Sequence, residues 1–310
     1  MATAPTNEVR FELTAVERLG LDVIPLGDPH YPELLATIPD PPLALFCQGH
    51  AGALGAPLNV AIVGSRRASA AGRQFARALA ADLGRGGFGV ISGLAIGIDG
   101  AAHRGAIEGG ALTVGVVGGG HERIYPARHR SLVNEIVSAG GAVISEYPPS
   151  MEPRRAHFPE RNRIISGLAA GVVVVEATVK SGSLITARMA LEQGREVMAV
   201  PGPVFGGNHG GCHRLIREGA VLIEGAADVL HGFGLEAAAP GLFEGPADPT
   251  LARVLAAMPH TATQLYDLEE RLAMPVHEIL GALVALELDG FVESSRDGYI
   301  RRPRSTGNSS

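Results

Sequence analysis

From Leu58 to Leu230 the apolar positions fall into two alternating textures. Short β-branched runs end on glycine or a small polar residue, at Asn59–Val63, Gly89–Ser92, Leu112–Val117, Ala142–Glu146, Val172–Glu176, Glu196–Val200 and Val221–Glu224. Each is almost continuously apolar, as strands of a parallel sheet buried on both faces are. Longer Ala/Leu/Arg stretches with helical spacing lie between them, at Ala70–Leu83, Ile98–Glu108, Arg128–Ala139, Glu160–Ala169, Leu184–Gln193 and Arg214–Glu218. That rhythm predicts right-handed crossovers and a doubly wound, mainly parallel α/β sheet of Rossmann-like type over residues 57–234.

The flanks have other patterns. Pro29, Pro32, Pro39, Pro41 and Pro42 interrupt residues 1–56, which read as a short helical segment followed by an irregular lead-in. Residues 235–249 are rich in Ala, Pro and Gly and read as a linker. Beyond it, Thr250–Met258, Ala262–Leu272 and Pro275–Leu288 have helical spacing. Phe291–Ser294 and Tyr299–Arg302 then flank an Arg296-Asp297-Gly298 turn. Three helices and a hairpin over 250–303 predict a small winged-helix domain, and 304–310 a disordered tail. The would-be recognition helix carries Glu278, Glu287 and Asp289 and no Lys or Arg, which disfavours docking in a DNA groove and favours a protein-interaction or regulatory role.

Composition narrows the class. No apolar run approaches the ~20 residues of a membrane helix, and Met1–Arg10 has no apolar leader core. Two cysteines far apart, Cys47 and Cys212, fit a reducing compartment, so a cytoplasmic location is expected. The net charge of −6 hides an asymmetry: residues 57–167 are +5 while both flanks are acidic. All but one of the 26 basic residues are Arg, the exception being Lys180.

Ligands of open α/β sheets sit outside the carboxyl ends of the strands. There the first predicted strand is followed by Gly64-Ser65-Arg66-Arg67 and the fifth by Lys180-Ser181-Gly182-Ser183. Glycine lets backbone approach a phosphate, and Ser and amide donors at a helix start receive it. Helix capping alone would also explain Gly and Ser. Two such loops with added cations on one crevice point to a ligand with more than one phosphate. No G-x-G-x-x-G with its following acidic residue and no Walker A loop is present, so no nucleotide cofactor is expected.

Residues 151–167 read MEPRRAHFPERNRIISG. Arg154, Arg155, Arg161 and Arg163 surround Phe158, with Asn162 between, and outnumber Glu152 and Glu160. Cations that follow a backbone and a ring that stacks on a base suit a single nucleic-acid strand, since a duplex presents no free base face. A core-anchoring Phe158 and a solvated arginine face are the alternatives. Catalytic signals are weaker. Asp99 and His103, four apart, are either an acid–base pair or a helix contact. Glu146 and Glu176 end strands in the crevice, where pairing with arginine is favoured over general-base work. His209, Cys212 and His213 resemble a metal fragment but lack a second ligand pair, so no metal is expected.

These pieces together resemble the DNA-processing protein A (DprA, or Smf) family. The matching stretches are AIVGSRRAS at 61–69, SGLAIGIDGAAHRGA at 92–106, RIYPARH at 123–129, SEYPP at 145–149, FPERNRIISGL at 158–168 and VVVEATVKSGSLITAR at 173–188, among others between about 20 and 302. The resemblance implies a single-stranded DNA-binding protein that forms homodimers and loads the RecA recombinase during natural transformation. It places DNA contacts on Gly64, Ser65, Arg66, Phe158, Arg161, Asn162, Arg163 and Ser181–Ser183; Arg67 and Lys180 join them on the reading of the residues. His121-Glu122 and Cys212-His213 depart from the family's usual pairs. An enzyme acting on a nucleoside phosphate, with Glu146 or Glu176 as base, is the competing reading.

Overall fold

The computed structural model describes residues 6–55, 58–205, 207–235, 248–258, 263–272, 274–289, 291–295 and 298–301. Its centre is a nine-stranded sheet: β1 (Asp22–Pro25), β2 (Ala44–Gly49), β3 (Asn59–Val63), β4 (Gly89–Ser92), β5 (Thr113–Val116), β6 (Ala142–Ser145), β7 (Gly171–Val174), β8 (Glu196–Ala199) and β9 (Val221–Leu222). The spatial order is β1-β2-β6-β5-β4-β3-β7-β8-β9. All pairs from β6 to β9 are parallel, while β1–β2 and β2–β6 are antiparallel. The chain thus winds outward in two directions from β3 and β7, the doubly wound arrangement.

Residues 1–56 are not an irregular lead-in. Helix α1 (Asn7–Leu19) is capped by Thr6, whose Oγ1 accepts from the Val9 amide. It leads into β1 and β2, which extend the sheet by two strands, with α2 (Glu33–Ala36) between them. Pro29, Pro32, Pro39, Pro41 and Pro42 lie in the β1–β2 connection, so these five interrupt the sequence pattern without entering a ladder. Tyr31 ties that connection together, donating from its hydroxyl to the Pro42 carbonyl at 2.8 Å.

The strands are buried on both faces, as their apolar runs require. In β3, Ala61 and Val63 pack to one side, and Val60 and Ile62 to the other. The first side is covered by α6 (His157–Gly167), α7 (Ser183–Glu192) and α8 (Gly210–Arg217), through residues such as Ile164, Ala187 and Leu215. The second is covered by α3 (Ala70–Arg85), α4 (Ile98–Glu108) and α9 (Ala226–Gly232). A smaller cluster seats α5 (Arg130–Ser138) through Leu132, Val133 and Ile136. Of the late apolar stretch 222–230, Ile223, Ala226, Val229 and Leu230 belong to the core, and Leu222 stays exposed on the edge strand.

The C-terminal unit contains α10 (Pro249–Ala257), α11 (Leu265–Leu272), α12 (Val276–Leu288) and the antiparallel hairpin β10 (Val292–Ser295) and β11 (Gly298–Arg301). Leu268, Ile279, Leu283, Leu286 and Val292 form its own core, and Thr263 bridges to Tyr299. This is the winged-helix arrangement. Most of the expected linker (236–247), turn residues 296–297 and the tail 304–310 lie outside the described residues. Among the described residues no helix is long and apolar enough to cross a membrane.

Helices α3 and α4 approach through glycine. A Cβ on Gly105 would sit 2.7 Å from the Arg77 carbonyl carbon and 2.8 Å from its Cα, both backbone atoms of α3. The helices would have to separate to admit it. Gly105→Val is expected to lower stability by about 1–3 kcal/mol, read as a fall in urea midpoint at unchanged slope.

Candidate nucleic-acid interface

β3 and β7 lie side by side at the switch point, and outside their carboxyl ends opens a cleft of about 900 Å³. Ten of the twelve residues expected at the site line it: Gly64, Ser65, Arg66 and Arg67 after β3, Phe158, Arg161 and Asn162 on α6, and Ser181, Gly182 and Ser183 at the start of α7. Arg155 and Asp99 also face it, so four cations meet one carboxylate.

The two phosphate-like loops differ. The Gly64–Arg67 loop is not itself a helix start, because α3 begins at Ala70 with Ser69 as its cap. Ser69 Oγ accepts from the Gly72 amide at 2.9 Å. The anion position there is filled by the protein's own Glu176, fully buried, which accepts from the Ser69 amide at 2.9 Å and from the Ser69 hydroxyl. Glu176 therefore bonds backbone and hydroxyl rather than the arginine expected of it. Gly64 is needed for packing as well: a Cβ there would meet Ile98 Cγ1 at 2.6 Å and the Glu176 carbonyl oxygen at 3.1 Å. The Ser65 amide donates to that same carbonyl at 2.7 Å, and Ser65 Oγ accepts from the Arg67 amide at 3.1 Å. The loop is folded on itself and projects Arg66 and Arg67, both exposed, into the cleft. Among the described residues the second loop holds no carboxylate at its helix start but is likewise closed by its own bonds: the Ser183 amide donates to Ser181 Oγ at 3.4 Å, and the Leu184 and Ile185 amides to the Ser181 and Gly182 carbonyls at 3.2 and 3.0 Å. Its Ser181 and Ser183 hydroxyls lie 2.7 Å apart at the N-terminus of α7 and line the cleft.

Phe158 sits in the first turn of α6, three and four residues before Arg161 and Asn162, so the three share a helix face. The Arg66 guanidinium lies over its ring, 5.2 Å from the centroid, and Tyr125 packs at 5.6 Å. Arg161 is buried and donates to the Val116 carbonyl at 3.0 Å. Burial pushes its pKa down to about 10, against the support of Asp99, so it is still a cation at neutral pH. Asp99 in turn is held above the usual carboxylate range by burial, offset by Arg161 and the Ala95 amide.

Arg163 and Lys180 do not line the cleft. Two residues along a helix from Arg161, Arg163 points the opposite way. It forms a two-pronged pair with Glu146 at 2.9 and 2.6 Å and reaches Asp40 at 3.1 Å. The expected arginine partner of Glu146 is thus Arg163. Lys180 is exposed on a neighbouring groove beyond Ser181. Neither Glu146 nor Glu176 faces the cleft, so the competing reading has no base at the positions it named.

The remaining candidates are structural. His103 Nδ1 donates to Thr113 Oγ1 at 2.8 Å, since that hydroxyl is itself donating to the Val90 carbonyl. Asp99 bonds the Ala95 amide, not His103. Cys212 is buried with Sγ directed at the Val174 and Val175 carbonyls, and burial pushes its thiol up to about 11. His213 contacts the Gly202 carbonyl at 3.0 Å. Tyr125, Thr178 and Asn208 line the cleft without having been singled out. Of these only Tyr125 carried a signal, as an aromatic beside proline within RIYPARH.

Fold and cleft together define a Rossmann-like α/β protein with a cationic, aromatic-lined crevice at the switch point. The family model for DNA recombination-mediator protein A matches residues 22–234, and that of the DprA winged helix domain residues 236–298. The chain is 38% identical over 309 residues to protein Smf of Escherichia coli, spanning 97% of this chain and 82% of that one. The X-ray structure of DNA processing protein A from Streptococcus pneumoniae superposes with a TM-score of 0.65 at 40% identity, over 70% of this chain and 77% of that one. DNA processing protein A from Helicobacter pylori, whose structure is described for its single-stranded DNA binding mode, gives 0.60 at 29% identity, over 65% and 92%. The chain belongs to the DNA recombination-mediator protein A family.

Two outcomes test these assignments. Arg163→Ala strands the half-buried Glu146 carboxylate and is expected to cost about 1–3 kcal/mol in urea unfolding, part of it recovered in Arg163→Ala/Glu146→Ala. Burial, reinforced by His129, Arg104 and Arg161, pushes the His103 pKa from 6.5 to about 3. The folded value lies below the unfolded one, so its contribution to stability is complete above pH 6.5 and is lost as pH falls towards 3. Over that window the wild type is expected to lose about 1.4 kcal/mol per pH unit from this group, and His103→Gln to lack that slope in urea titrations.

Proposed function

We propose that the cleft binds single-stranded DNA, with no chemistry on the strand. The observation that carries this is the convergence of Arg66, Arg67, Arg155 and Arg161 with the Ser181 and Ser183 hydroxyls at the start of α7 and the Phe158 ring. Cations and Ser181–Ser183 receive phosphates, and the aromatic wall receives a base. Lys180, beyond Ser181, meets the backbone as it leaves. The relative from Helicobacter pylori, described for single-strand binding, supports the same use here. With the family resemblance, this makes the protein a cytoplasmic recombination mediator that protects incoming DNA and passes it to RecA in natural transformation. Its homodimer would form on the β9 edge, where Leu222 is exposed. The acidic residues of α12, Glu278 and Glu287, with no Lys or Arg on the helix, give the winged-helix domain a role toward proteins rather than duplex DNA.

Titration of labelled single- and double-stranded oligonucleotides at two salt concentrations tests the reading. Tighter single-strand binding that weakens with salt is expected. Arg66→Ala should bind more weakly, with its salt slope shallower by about 0.7, one phosphate contact. Lys180→Ala should lose less, being outside the cleft. Equal affinity for duplex, wild-type binding by Arg66→Ala, or turnover of nucleoside monophosphates by the pure protein would each overturn it.

A further inference from the structure

Tyr125 is 53% exposed in a cleft whose other ring, Phe158, is half-buried. Its neighbours in kind are employed elsewhere: Tyr31 donates to Pro42, and Tyr147 donates to Glu160. Among the described residues the Tyr125 hydroxyl has no hydrogen-bond partner. A large, half-open aromatic beside four arginines is neither a core residue nor part of a polar network. Among the described residues its one ring contact is Phe158, with centroids 5.6 Å apart and planes inclined at 56°. Arg66 already lies over Phe158, so Tyr125 is the more open of the two rings.

We propose that Tyr125 is a second base-stacking platform, taking the nucleobase next to the one on Phe158. The proposal rests on the single-strand reading above. Rings inclined at 56° cannot both lie flat against two bases that remain stacked on each other. Each ring holds its own base, and the strand is turned and unstacked at that step. A paired strand cannot unstack there without opening, so Tyr125 contributes to the discrimination against duplex as well as to affinity.

The test uses the full chain and labelled oligothymidylate. Tyr125→Ala is expected to bind about 5- to 150-fold more weakly, the range one base–aromatic stack supplies, and Tyr125→Phe to restore binding. On an oligonucleotide with abasic sites the difference between wild type and Tyr125→Ala should vanish, because no base is left to stack. The chain has five tyrosines and no tryptophan, so tyrosine emission reports stacking directly. Saturating DNA should quench the wild type, and Tyr125→Phe should lose most of that quench while still binding. Wild-type affinity in Tyr125→Ala beside a weakened Arg66→Ala would overturn this proposal alone, as would a loss that persists in full on abasic DNA. An unchanged quench in Tyr125→Phe would overturn it too, and decides the matter if Tyr125→Ala does not fold. Absence of binding by the wild type would remove the single-strand reading and this proposal together.

Discussion

The cleft depends on a carboxylate that does not line it. Glu176, leaving β7, accepts the amide and hydroxyl of Ser69 and so occupies the N-terminus of α3 beside β3. It is completely buried, and its acceptors are satisfied by donors a helix start would otherwise leave open. In sheets of this class that helix start is where a phosphate is received. Here it is taken from within. The interaction joins the two strands of the switch point to one helix, fixes the Gly64–Arg67 loop through the Glu176 carbonyl, and directs Arg66 and Arg67 outward. The crevice is lined instead by α6 and the start of α7, which pack on the opposite face of the sheet from α3.

Charge follows the same geometry. A protein of net charge −6 presents four arginines against one aspartate in its cleft. Arg161 is kept charged in a buried place by Asp99, and Arg163 is neutralised outside it by Glu146 and Asp40. The cationic surface is therefore local. It sets a cationic, aromatic-lined patch apart from the acidic remainder of the molecule.

Much of this was readable in advance, and the reasons differ by residue. Strands buried on both faces leave continuous apolar runs, so β3 to β9 and their order of helices were visible, as were the three helices and hairpin at the C-terminus. The antiparallel strands β1 and β2 were not, because five prolines in their connection mimic an irregular segment. Gly64–Arg67 and Ser181–Ser183 could be named because two Gly/Ser loops with added cations follow strands of one sheet, and Phe158, Arg161 and Asn162 because an aromatic stands among arginines that outnumber the local acids. Tyr125 was passed over because an isolated aromatic beside proline looks the same whether it is buried or exposed.

The linear pattern of apolar runs, turn residues and charge was enough for the sheet type, for a basic central segment and for most of the cleft's lining. Those features are local, set by period and by composition. Direction was not available from it. Arg161 and Arg163 are equivalent in the chain and opposite on a helix, and Ser65 and Ser181 sit in like-looking loops of which one is filled by Glu176. Which side chain faces ligand and which faces a partner 17 or 107 residues away is set by how distant elements pack, and it appears only when the chain is closed on itself.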